Sequence, residues 1–118
     1  MHPGYSIGSV YLHRDPIDFR KQINGLAALV QGELELSPFM DAVFVFTNRG
    51  RTSLKVLYWH RNGFCLWQKR LETDRFAWPK GESFEQAHPV SASEFQRLLE
   101  GLDPWHKNAH KVLNYKHI

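Results

Sequence analysis

The sequence predicts a small α+β fold: an antiparallel β-meander of about four or five strands, with one long helix packed on a face and a short helix near the C-terminus. Three observations carry this expectation. Apolar residues recur at steps of three and four from Phe19 to Leu34, as on one side of a helix. Strand-forming runs between Ala42 and Leu71 are separated by Asn48-Arg-Gly-Arg-Thr52 and His60-Arg-Asn-Gly63, both rich in turn formers. Ser91 stands three residues before Glu94, ahead of Phe95, Leu98, Leu99 and Leu102, the arrangement of a capped helix.

Taken in order, Val10 to His13 is a short apolar stretch that fits an edge strand or strand start, and Asp15-Pro16 punctuates the chain. Asp18 is placed to cap a helix running to Leu36, with Phe19, Ile23, Leu26, Val30 and Leu34 on one side and Ser37-Pro38 as its stop. Gly25 costs that helix about 1 kcal/mol relative to Ala, so the position is either merely tolerated or closely packed. Ala42 to Thr47 is nearly all apolar, which implies that both faces of that strand are covered. Ser53 to Trp59 and Phe64 to Leu71 continue the meander, and Arg75 to Trp78 is expected as a short fourth strand closed by Pro79. Residues 1–102 are expected to form a single domain, and 103–118 a basic, His-containing tail, flexible or helical.

The 118 residues suit one domain, and 42% hydrophobic with 23% charged residues is a globular composition. No apolar run approaches ~18 residues, so no membrane span is expected. No basic head precedes an apolar stretch at the N-terminus, and Cys65 is the single cysteine; both fit a cytoplasmic protein. The net charge of +3 is modest but segregated. Arg49, Arg51, Lys55, Arg61, Lys69, Arg70 and Arg75 face only Glu72 and Asp74 within the meander, whereas the stretch from Lys80 to Asp103 is mainly acidic.

Those seven cations are the candidate DNA-binding residues, because a two-stranded ribbon fits a groove and exposed Lys and Arg neutralise phosphates. Strand alternation suggests that Lys55, Trp59, Trp67 and Lys69 form one surface mixing cations and aromatics. The competing interpretation is a solvated sheet whose charges protect its edges. Alternatively the chain is purely a protein–protein adaptor, with Tyr58, Trp59, Trp67 and Trp78 as anchors. Asp18, Arg20 and Lys21 at the helix start suit either a phosphate or, more simply, a cap. His106 and His110 share helical spacing and His117 lies nearby, but no Cys or carboxylate completes a set, so no metal is expected. Asp15, Asp18, Asp41, Asp74, Asp103, Glu33, Glu35 and Glu72 offer carboxylates, yet the strands from Val43 to Leu71 are nearly free of acid. A two-metal site needs carboxylates that converge from strand ends. Neither a glycine-rich phosphate loop nor a nucleophile elbow is present. No catalysis and no cofactor are expected.

One set of ordered blocks is more specific than any of these. Asp18-Phe-Arg-Lys21, Asn24-Gly-Leu26, Val43-Phe-Val-Phe46, Lys55-Val-Leu-Tyr-Trp59, Asn62-Gly-Phe-Cys-Leu66, Lys69-Arg-Leu71 and Arg75-Phe-Ala-Trp-Pro79 stand in the chain in this order. In them the sequence resembles the TnpB-type accessory protein of insertion sequences of the sixty-six type, the product of their second reading frame. The likeness runs from about Val10 to Pro79 and more loosely to Leu102; the N-terminal Met1-His-Pro-Gly and the tail after Leu102 depart from it. It implies a non-catalytic protein that assists transposition beside a transposase and a second accessory protein. It also marks Asp18, Arg20, Lys21 and Gly25 as motif residues without saying what they do.

Overall fold

The computed structural model describes residues 8–79 and 85–105. Within them lie β1 (Ser9–His13), α1 (Ile23–Gly32), β2 (Ala42–Thr47), β3 (Ser53–His60), β4 (Gly63–Arg70), β5 (Ala87–Val90) and α2 (Ala92–Leu99). The strands form one sheet in the order β4-β3-β2-β1-β5. The antiparallel meander β2-β3-β4 is formed as the turn signals predict. The sheet as a whole is mixed, because β1 runs parallel to β2 and β5 antiparallel to β1. A helix between β1 and β2 returns the chain to the end where β1 began, which makes the next strand parallel. β1 is therefore an inner strand rather than an edge, and Val10 and Leu12 are buried. No helix among the described residues is long and apolar enough to cross a membrane.

Both faces of the sheet are covered, which explains why every residue of β2 is buried. On one face Val10, Leu12, Val43, Val45, Leu54, Val56 and Tyr58 pack under Phe95, Leu98 and Leu99 of α2. On the other, Phe44, Phe46 and Leu57 pack under Leu26 and Val30 of α1. Full burial of such side chains stabilises by about 2 kcal/mol each, so the strand feeding both layers anchors the fold.

The expected fourth strand, Arg75 to Trp78, is not one. This segment crosses the α2 face as a strap, with Phe76 and Trp78 buried in the core. Its bonds are single and dispersed: Phe76 N–H donates to the Arg51 carbonyl at 2.6 Å, and Trp78 Nε1 to the Arg14 carbonyl at 2.9 Å. Two large aromatic rings bury more area across a face than beside β4, and that gain outweighs a short ladder. Strand β5, unforeseen because Pro89 interrupts it, takes the opposite edge, where proline is tolerated.

The first helix is shorter than its apolar stripe. It covers ten residues, Ile23–Gly32, instead of Asp18–Leu36. Asp18 does not cap it; Gln22 is the N-cap and makes no side-chain capping bond. The chain from Asp18 to Lys21 forms a separate tight turn, closed by Lys21 N–H to the Asp18 carbonyl at 3.1 Å. The Phe19 and Lys21 carbonyls are diverted from any helical ladder toward a buried lysine. Lys55 of β3, 2% exposed, donates from Nζ to both of them, at 2.8 Å each. Its ammonium also lies 4.7 Å from the centroid of the Phe19 ring. At the other end Glu35 adopts a left-handed φ of 55° and stops the helix before Leu36. Gly25 is closely packed: a Cβ there would meet Lys21 Cβ at 3.3 Å and Cγ at 3.4 Å.

The second helix follows its sequence signal closely. Ser91 Oγ accepts from Glu94 N–H at 3.0 Å, and the Glu94 carboxylate accepts from Ser91 N–H at 2.8 Å. Lys69 of β4 closes its far end, donating to the Leu99 carbonyl at 2.7 Å.

Two stability predictions follow from these contacts. Lys55→Ala is expected to cost about 3 kcal/mol, through a lost charged bond pair, two orphaned carbonyls and a cavity. Thermal unfolding should register this as a fall of about 10–20 °C in Tm, with Lys55→Met intermediate because it keeps the aliphatic stem; an unchanged midpoint would refute the staple. Ser91→Ala should cost about 1 kcal/mol, read by urea unfolding, and Ser91→Gly distinctly less.

Candidate nucleic-acid interface

The turn between β2 and β3 is built by Asn48. Its Oδ1 accepts from Thr52 N–H at 2.9 Å and Ser53 N–H at 3.2 Å, while Nδ2 donates to Thr52 Oγ1 at 3.0 Å. Arg51 N–H closes on the Asn48 carbonyl at 3.0 Å. This side-chain scaffold is the Asx chemistry expected of Asn in a turn, and it carries Arg49 outward, exposed. Arg51 is half-buried with φ of 57°, a left-handed conformation that costs a non-glycine residue about 1 kcal/mol. Its buried Nε has no hydrogen-bond partner among the described residues.

Three further cations share this end of the sheet. Arg70 is opposite Ser53 across the β3–β4 ladder. It pairs with Glu72 at 2.9 Å, but both side chains are about 70% exposed, so the pair is weak and open to exchange. Arg75 immediately precedes Phe76, which is bonded to Arg51, and is exposed. Lys21, also exposed, lies on the turn that Lys55 staples to β3. A cleft of about 480 Å³ opens between residues 16–19 and 48–50, with Arg49 in its lining. Neither Arg49 nor Arg75 forms an ion pair among the described residues.

Arg20 is committed locally. Its guanidinium reaches the Asp18 carboxylate at 2.6 Å, and its backbone N–H donates to Asp18 Oδ1 at 3.0 Å. These bonds hold the Asp18 carboxyl well below the usual carboxylate range. The motif Asp18-Phe-Arg-Lys21 is thus a self-closed turn whose Phe19 and Lys21 carbonyls receive Lys55. Burial pushes the Lys55 ammonium below the ordinary lysine value.

Not all seven sequence candidates stand together. Lys55 and Lys69 are engaged with backbone carbonyls, as described. Arg61 occupies the β3–β4 turn at the opposite end of the sheet, exposed, with φ of 59°. At about 3.3 Å per residue along β3, the two turns are roughly 25 Å apart. The single surface of Lys55, Trp59, Trp67 and Lys69 does not form. Val56 is paired with Trp67 and Leu54 with Lys69, so Trp67 and Lys69 share the α2 face, while Lys55 and Trp59 share the α1 face.

Among the alternative anchors, Tyr58 and Trp78 are 5% and 4% exposed and belong to the core. Trp67 packs half-buried against the α2-side cluster. Trp59 is half-buried and joins Phe39 and Phe64. Phe39 was not singled out by periodicity; the signal available was a Phe-Met pair set inside the polar loop Ser37 to Asp41. His13 was missed as well. It is buried, with Nδ1 2.7 Å from the Asp15 carbonyl and Nε2 2.6 Å from the Glu33 carboxylate. It ties the end of β1 to the C-cap of α1.

The candidate carboxylates do not converge. Asp15 pairs with Arg14, whose guanidinium lowers its carboxyl from the ordinary value, and Glu33 with His13. Among the described residues no three His, Cys, Asp or Glu side chains are grouped to hold a metal ion. His106, His110 and His117 lie outside the described residues.

The chain is 38% identical over 88 residues to the uncharacterized protein y4jC of Sinorhizobium fredii, covering 75% of this chain and 74% of that protein. It is 36% identical over 94 residues to the uncharacterized protein y4hO of the same organism, covering 80% of each. No solved structure matches it. The family model described as IS66 Orf2-like protein matches residues 8–109, which takes in the whole sheet, both helices and the Asp18–Lys21 turn. The chain belongs to the IS66 Orf2-like family, whose setting is the transposition of an insertion sequence.

Proposed function

We propose that this protein assists transposition, beside a transposase, as a non-catalytic DNA-contacting protein, and that it meets the duplex with the basic end of its sheet. The observation that supports this most is the arrangement around the β2–β3 turn. Arg49 and Arg75 are exposed and unpaired among the described residues, Arg70 is held only by an exposed pair, and Lys21 is presented by the stapled turn. Phosphates are recognised by cations of this kind, held on rigid backbone and free to exchange partners. The left-handed Arg51 and the Asn48 scaffold set the turn without glycine at the strained position, so the geometry of the tip is determined by the fold. Lys55, Lys69, Arg61 and the half-buried Arg51 are left out of this surface; with Lys21 added from the stapled turn, the proposed contact set is Lys21, Arg49, Arg70 and Arg75.

A second reading, a protein adaptor with no DNA affinity of its own, is favoured by the aromatic group around Trp59. The two differ in their response to salt. Four phosphate contacts imply that affinity for a labelled duplex from an element end falls roughly 150-fold between 50 and 200 mM salt. Arg49→Ala, Arg70→Ala and Arg75→Ala combined should reduce the log–log salt slope by about 2.7, whereas Arg61→Ala should leave it unchanged. Full affinity in the triple variant, measured by fluorescence anisotropy, would overturn the proposal.

A further inference from the structure

Beside the β3–β4 turn, on the α1 side of the sheet, three aromatic rings gather away from the basic end. Trp59 and Phe64 are directly opposite across the strands, with centroids 5.0 Å apart and planes at 76°. Phe39, from the loop between α1 and β2, joins them at 5.0 Å from Trp59 and 5.3 Å from Phe64. Phe39 is 58% exposed, the one large hydrophobic side chain so exposed among the described residues. Arg61 stands at the adjoining tip, exposed, in a left-handed conformation and without an ion pair among the described residues.

We propose that Phe39, Trp59, Phe64 and Arg61 form a docking site for a segment of a partner protein that carries an apolar anchor side chain flanked by carboxylates. The rings supply an apolar seat that water would otherwise cover, and Arg61 supplies the complementary charge at its rim. Trp and Arg set beside exposed aromatic surface are the chemistry of interface hot spots. Unpaired bases suit this site less well. Trp59 meets Phe39 and Phe64 edge to face, at 78° and 76°, so the three rings do not line up as successive open faces for stacking, and one cation is not the charged track that a strand backbone follows. The site lies roughly 25 Å from the β2–β3 turn by the length of β3, far enough for both ends to be occupied together. This inference does not depend on DNA binding at the other end.

Phe39 and Arg61 are exposed, so their substitution should leave the fold intact, which circular dichroism checks. The test uses the full chain and an array of overlapping peptides from the transposase and second accessory protein of the same element. Bound peptides should carry Leu, Ile, Phe or Met flanked by Asp or Glu. Phe39→Ala and Arg61→Glu should each weaken the tightest peptide at least about tenfold, while the Arg49, Arg70, Arg75 triple-alanine variant binds it as well as the parent does. The proposal is overturned if no peptide binds, or if the bound ones are basic. Phe39-dependent binding of labelled oligothymidine would overturn it in favour of a strand-binding platform, and Phe39-dependent self-association in sedimentation in favour of a second copy.

Discussion

A lysine buried beneath a tight turn holds this architecture together. Lys55 enters the α1 face of the sheet between apolar neighbours, and its ammonium finds two backbone carbonyls and an aromatic ring there. An unpaired charge at that depth would cost several kcal/mol; with its partners the charge becomes a fastening. It joins the middle of β3 to the approach to α1, segments 34 and 36 residues apart in sequence. The first helix lacks a side-chain N-cap, and it has neither acids in its first turn nor bases in its last. Its position therefore rests on packing by Leu26 and Val30, on this staple before its first turn and on the His13–Glu33 contact at its C-cap.

The same fastening explains the family motif more economically than a ligand would. Asp18 closes on Arg20, the Phe19 ring lies beside the ammonium, Lys21 lends its carbonyl and lays its stem across Gly25. Glycine at position 25 gives up helix propensity and in return lets that stem lie close. Outward from the motif stand the Arg20 guanidinium, held by Asp18, and Lys21, both exposed. Structural and candidate binding roles thus fall to different atoms of the same four residues.

Among the described residues, the cations of the meander divide into two populations. Lys55 donates to carbonyls of the turn just before α1 and Lys69 to the last residue of α2, so the approach to one helix and the end of the other are each fastened to the sheet by a lysine. The arginines of the meander sit at turns and strand ends, and the two hairpin tips each bear one in a left-handed conformation. Long flexible ammonium stems suit the first task, and broad guanidinium groups on rigid turns suit the second. Because the tips lie at opposite ends of β3, the molecule offers two separate surfaces, one basic and one aromatic.

Local chemistry made much of this legible beforehand. Strand β2 is bounded by its own residues because six successive apolar or strand-forming side chains leave little choice, the meander by turns rich in Asn and Gly, and α2 by a capping box, a signal contained in four residues. The segregation of charge and the family blocks were likewise complete in the chain itself. Tertiary structure alone decided the parallel pairing of β1, the strap of Phe76 and Trp78, the early end of the helical stripe and the use of each lysine. Those outcomes depend on which face a residue meets and on what lies across from it. A register shift of one residue exchanges the faces of a strand, and a lysine written in sequence is the same letter whether it meets a phosphate or the carbonyls of Phe19 and Lys21.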